Sequence, residues 1–256
     1  MKNFFMFLFI FIMFTPQITQ AVNISASSAI LVSDENIIYE KNAYKKMPMA
    51  STTKIMTAIC AIENTNTNMP IRVDDKAVGI EGSSIYLEKG EIITLKELIY
   101  GMMLNSGNDA ATAIAIAVGG SVENFCKMMN QCAKKIGAIN TNFTNPSGLY
   151  DENHYTTACD LAKITVYAMK NPLFKDIVSR KSMKISKSNG VRYLKNHNKL
   201  LNTYEGCIGV KTGYTKKCGR CLVSSAERGS KTLVAVTLNA PDDWRDHKLM
   251  LDMGFN

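Results

Sequence analysis

Extended, β-prone runs stand near the start and in the last quarter of this chain, and the long middle carries helical patterning. Residues 28–33 and 36–40 flank Asp34 and Glu35 and read as a hairpin. Residues 207–210, 220–225 and 231–238 read as strands, and 244–253 as a closing helix. Between them, Ile55, Ile59 and Ile62 form one stripe of a helix beginning at Ser51, with Met56 and Cys60 beside it. Thr94 and Glu97 make a capping box for a helix through Met103. Residues 108–118 and 122–136 are helical, and Thr157 with Asp160 resembles a second capping box for a helix through Met169. This order predicts an α+β fold: one antiparallel sheet shared by the first and last segments, flanked by helices, plus a helical cluster. No repeat or low-complexity linker divides it, so 22–256 reads as a single domain.

The first residues address the chain outward. Lys2, an apolar run over 4–14, Pro16 and the small residues ending at Ala21 read as a signal peptide cleaved after Ala21, with an uncleaved anchor as the second reading. A run of that length covers only about half of a bilayer core. Removing 21 of 256 residues leaves 235, ample for one substantial core, and lowers the formal charge from +8 to +7 with the loss of Lys2. No later segment reaches the ~18 apolar residues of a membrane span. An extracytoplasmic body, secreted or held at the cell envelope, is expected, and its basic balance suits an anionic envelope. Nucleic acid is not expected as a partner, because no basic stripe with interleaved aromatics occurs.

The seven cysteines are odd in number and irregularly spaced, and several sit in apolar runs as small hydrophobes. Cys218 and Cys221 form the one C-x-x-C, without a second pair or a near histidine for zinc. His154, His197 and His247 lack metal-ligand spacing, so neither metal nor organic cofactor is expected. His154, just before a capped helix, reads as structural. The methionine pairs at 102–103 and 128–129 read as core, and Trp244 as surface packing.

Three short motifs carry the chemistry. Ser51 and Lys54 lie three apart on a helix, so the amine can approach the hydroxyl. A serine hydroxyl needs a base, and lysine serves only when burial or a neighbouring cation keeps it neutral. A helix starting near Ser51 also aims backbone N–H groups at a developing oxyanion. Ser106, Gly107 and Asn108 form a polar turn between two apolar helices. There Ser106 can relay a proton and Asn108 can meet a substrate amide. Lys211, Thr212 and Gly213 end a strand-like run before turn residues. The ammonium and hydroxyl suit a carboxylate, and the bare glycine lets a peptide lie along the strand. Singly each has a bland reading: a helix start, a helix–helix turn, a basic β-turn.

Together and in this order the motifs resemble the set S-x-x-K, with an S-D-N element, and K-T-G of penicillin-binding proteins and class A β-lactamases. The segments around them extend the likeness, namely 29–42, 49–58, 104–111, 154–158, 209–215 and 238–241. From residue 28 to 256 the chain resembles the D-alanyl-D-alanine carboxypeptidases, the low-molecular-mass penicillin-binding proteins. The resemblance implies a transpeptidase-like fold with Ser51 as acylated nucleophile, Lys54 as proton acceptor and Ser106 as proton relay. It places Asn108, Lys211, Thr212, Gly213 and Tyr214 at the substrate, with the N–H groups of Ser51 and Tyr214 as oxyanion hole and Arg245 near the substrate carboxylate. It implies peptidoglycan stem peptides ending in D-Ala-D-Ala as substrate and β-lactams as inhibitors. The competing readings are a D,D-endopeptidase, a β-lactamase and a non-catalytic wall-binding protein. Against a β-lactamase, Glu123, Glu152 and Glu205 lack the Glu-x-x-Leu-Asn context of a deacylating glutamate. Many family members add a β-rich domain and an amphipathic membrane helix; here the expectation is the catalytic domain without either.

Overall fold

The computed structural model describes residues 23–34 and 36–256, so the signal-peptide expectation and Glu35 of the hairpin lie outside the described residues. Strands β1 (Ser28–Ser33) and β2 (Asn36–Lys41) pair antiparallel. After a long helical excursion the chain returns as β7 (Cys207–Thr215), β8 (Gly219–Arg228) and β9 (Lys231–Leu238). The sheet order is β2-β1-β9-β8-β7, so the first and last segments do share one antiparallel sheet, with β2 and β7 as its edges.

Both faces of this sheet are covered. Ile30, Val32, Val223 and Val236 face a large core with the helices α1 (Lys54–Asn64), α2 (Leu95–Leu104), α3 (Asn108–Gly119), α4 (Val122–Ile136), α5 (Ala158–Met169) and α6 (Pro172–Ser179). Ala29, Leu31, Leu233 and Ala235 face a smaller one closed by the last helix (Asp243–Phe255) through Met250 and Leu251. This explains why β1 is buried along almost its whole length, since a strand covered on both sides reads as a continuous apolar run. Two small hairpins complete the fold: β3 (Pro70–Arg72) with β4 (Ile92–Thr94), and β5 (Ser182–Lys187) with β6 (Gly190–Lys195). A one-turn helix, α7 (Leu200–Thr203), precedes β7, so the last helix is α8. No helix among the described residues is long and apolar enough to cross a membrane.

Local sequence explains the element ends. Thr94 and Glu97 form the reciprocal capping box of α2. Thr157 caps α5 through the Asp160 N–H, but the second box is only half made. The Asp160 carboxylate turns instead to Asn140 N (2.7 Å) and Thr141 Oγ1 (3.0 Å), fixing the loop that follows α4. The helix expected from Ser51 opens as a 3₁₀ turn, Ala50–Thr53, and becomes α-helical only at Lys54. In a 3₁₀ turn residues three apart eclipse one another, which brings Ser51 and Lys54 more nearly in line than an α-helix would.

Candidate active site

The 3₁₀ turn and the first residue of α1 lie at the meeting of sheet and helical cluster. Lys54 is fully buried, and its Nζ has three oxygen neighbours: Ser51 Oγ at 3.0 Å, Asn108 Oδ1 at 2.8 Å and the Ser147 carbonyl at 2.6 Å. Burial, followed by the nearby charge of Lys211, holds its pKa well below the usual lysine range; Asp109 opposes this. A neutral amine has two N–H donors and one lone pair. Asn108 Oδ1 and the Ser147 carbonyl can only accept, so in the neutral form they take the two donors. The lone pair is left facing the Ser51 hydroxyl. The arrangement makes Lys54 a base directed at one atom.

Asn108 is itself fixed. Its Nδ2 donates to Glu81 O at 2.6 Å and its backbone N–H to Ser83 O at 2.7 Å. Its carbonyl is thus committed to Lys54, leaving one N–H for a substrate rather than the whole amide. The loop it holds is clamped further by the buried Asp109 carboxylate, which accepts from Ser84 Oγ, Ile85 N and Leu87 N. From the other side Arg192, paired with the buried Glu91, donates to the carbonyls of Ile85 and Tyr86. Ser106 is buried in the turn between α2 and α3 with φ 62°, a left-handed backbone uncommon for serine. No hydrogen bond joins it to Ser51 or Lys54 among the described residues.

Strand β7 supplies the opposite wall. The expected strand ends at Val210, but pairing with β8 continues through Lys211, Thr212, Gly213 and Tyr214 to Thr215. The third motif therefore lies within an edge strand rather than at its end. Lys211 is buried, and burial pushes its pKa down to about 7. Its Nζ donates only to Thr212 O (2.9 Å), with no carboxylate within ion-pair distance among the described residues. A buried lysine with a single neutral acceptor keeps N–H donors that can pair with an anion. Thr212 is half-buried and Tyr214 exposed. Gly213 lies against the 3₁₀ turn: a Cβ there would be 3.0 Å from Ser51 N and 3.2 Å from Met49 O.

Arg245 is brought no closer to this group by any hydrogen bond or ion pair among the described residues. It is exposed in the first turn of α8, and its neighbour Trp244 lies near Lys199, the residue before α7. Two contributors escaped the motif reading. The Ser147 carbonyl is a backbone atom and leaves no side-chain signature. Its neighbour Gly148, at φ 86°, packs so closely that a Cβ would fall 1.9 Å from Ala50 O. His154 is structural, as its position suggested: Nε2 meets Thr53 Oγ1 at 2.7 Å, Nδ1 accepts from Thr144 N at 3.1 Å, and burial lowers its pKa to about 4.

The two glycines give a graded prediction. Gly148→Ala drives a methyl group into the Ala50 carbonyl at a left-handed φ and costs more than about 3 kcal/mol, visible as a large fall in Tm or loss of soluble protein. Gly213→Ala needs a shift of only tenths of an ångström at Ser51 N. It should fold normally while slowing acylation by about 10²-fold, the size expected of a small misplacement at a reacting centre. Equal effects of the two on Tm would contradict this geometry.

Comparison with known proteins agrees with the geometry. Residues 15–242 match the family described as D-alanyl-D-alanine carboxypeptidase. The chain is 36% identical over 223 residues to D-alanyl-D-alanine carboxypeptidase DacF of Bacillus subtilis, covering 84% of this chain and 57% of that protein. It is 35% identical to the D-alanyl-D-alanine carboxypeptidase of Streptomyces sp. strain K15, covering 85% of this chain and 82% of the relative. The crystal structure of the Streptomyces K15 DD-transpeptidase superposes with a TM-score of 0.85 at 34% identity, covering 91% of this chain and 98% of that one. The fold is that of the DD-transpeptidases and penicillin-binding proteins, and the chain belongs to the D-alanyl-D-alanine carboxypeptidase family.

Proposed function

We propose that the protein is a serine D-alanyl-D-alanine carboxypeptidase that removes the terminal D-alanine from peptidoglycan stem pentapeptides through an acyl-enzyme on Ser51. The observation that carries this reading is the buried Lys54 amine, whose two fixed acceptors leave its lone pair to Ser51. The peptide's terminal carboxylate pairs with Lys211 and Thr212, and its backbone adds to the free edge of β7. Ser51 attacks the penultimate carbonyl as Lys54 takes its proton. The N–H groups of Ser51 and Tyr214 hold the oxyanion. The proton passes through Ser106 to the departing amine of D-alanine, and water then cleaves the ester to free the shortened peptide and Ser51. β-Lactams acylate the same serine. Arg245 is assigned a supporting role toward the substrate carboxylate from the resemblance alone. This activity requires the protein to be exported, and the apolar leader over 4–14 supports that placement.

The test is release of D-alanine from a pentapeptide, together with a mass increase of one penicillin per protein. Both should occur in the native chain and neither in Ser51→Ala. D-Alanine release undiminished in Ser51→Ala would reject the mechanism, and none from well-folded native protein would favour a binding role. Rapid clearance of penicillin would instead favour a β-lactamase, and preference for cross-linked over monomeric peptides an endopeptidase. A second fate for the same acyl-enzyme deserves a control, because the Streptomyces structural neighbour is named a DD-transpeptidase. An added amine acceptor would then capture the acyl group in place of water.

A further inference from the structure

A cavity of about 390 Å³ has none of Ser51, Lys54 or Lys211 in its lining. Its walls are tied to the catalytic turn. Met47 and Pro48 line it immediately before Met49, whose carbonyl lies against Gly213. His154 lines it from the other side while bonded to Thr53. Around it stand two lysines, Lys46 and Lys217, two carboxylates, Asp151 and Glu152, and two tyrosines, Tyr150 and Tyr155. Lys46 is placed over the Tyr155 ring at 4.5 Å, and the Asp151 turn is held by Asn153 N at 2.7 Å and His154 N at 3.0 Å.

The direction of a bound peptide, which rests on the acylation reading above, points here. With the terminal carboxylate at Lys211 and the attacked carbonyl beside Gly213, the peptide runs antiparallel to β7. The residue preceding D-alanyl-D-alanine then falls about 3.4 Å further on, level with Tyr214 and Thr215. The turn that carries Lys217 comes next. A side chain ending in one ammonium would meet two lysines as well as two carboxylates and gain little. A side chain ending in both an ammonium and a carboxylate can pair both signs at once.

We propose that this cavity is the subsite for the stem-peptide residue preceding D-alanyl-D-alanine, and that it selects a side chain ending in an amino-acid group, as in a diaminopimelyl residue, over a lysyl one. Two pentapeptides identical except at that residue test it through D-alanine release. The diaminopimelyl peptide should show a kcat/KM about five- to tenfold higher, the size that two partly exposed ion pairs supply. Lys217→Ala and Glu152→Ala should each bring the ratio toward one. The subsite is overturned if the native protein treats the peptides alike, or if the ratio survives both substitutions. If neither peptide releases D-alanine, titration of the same pair into Ser51→Ala protein decides. Discrimination there keeps the subsite while the hydrolytic reading fails, and equal affinity sinks both.

Discussion

Replacing Lys54 with methionine should slow acylation of Ser51 by penicillin by about three orders of magnitude, within the range a positioned general base contributes. The substitution keeps the length and apolar stem of the side chain and removes only the amine. The other two neighbours of Nζ cannot take over, since Asn108 Oδ1 and a backbone carbonyl are not bases at neutral pH. The folded state loses two N–H donors to buried acceptors, at about 1–3 kcal/mol each. It also sheds a buried amine whose desolvation opposed folding. The net change in stability should therefore be modest, at about 2–4 °C in Tm per kcal/mol for a chain of this size. Folded Lys54→Met protein that acylates within tenfold of the native rate would remove lysine from the role of base.

What was legible in the sequence follows from how each feature is encoded. Thr94 and Glu97 announce the start of α2 because both halves of that cap are side chains satisfying local backbone. Asp160 misled because the same local pattern was free to serve a distant loop, and only tertiary packing chose Asn140 and Thr141. The end of β7 was missed because Lys211 and Gly213 break the apolar run just where pairing with β8 continues. An edge strand that must present an ammonium and a bare backbone cannot also look hydrophobic. Ser51, Lys54 and Asn108 were legible as an ordered set, and the structure joins them through one nitrogen. The Ser147 carbonyl, the loop held by Asp109 and Arg192, and the clearance at Gly148 depend on backbone atoms far apart in sequence, where no residue pattern could show them.

Above neutrality, kcat/KM for a pentapeptide should fall about tenfold per pH unit from a break near 7, while kcat itself holds. The break belongs to Lys211, whose burial lowers its pKa to about 7 in the free protein. The profile of kcat/KM reports the free enzyme, and that of kcat the complex. A substrate carboxylate favours the charged form and raises the pKa again once bound. Binding above pH 7 must therefore take up a proton, which calorimetry in buffers of different ionisation enthalpy would count. Lys54 works in the opposite sense, since it must be neutral, and its lowered pKa brings the rising limb below the ordinary lysine range. The charge on Lys211 helps to lower it, after burial. Stability runs the other way from activity. Between about 7 and the ordinary lysine value of 10.5 the unfolded chain binds more protons than the folded one, so these lysines make folding more favourable as pH rises. These two lysines therefore give no reason for the fold to weaken above pH 7, and a Tm that holds from pH 7 to 9 would separate lost activity from lost fold. Lys211→Arg, permanently charged, should abolish the break even where its shape lowers the overall rate. A flat kcat/KM from pH 7 to 9, or a parallel fall in kcat, would show that the carboxylate is held by some other group.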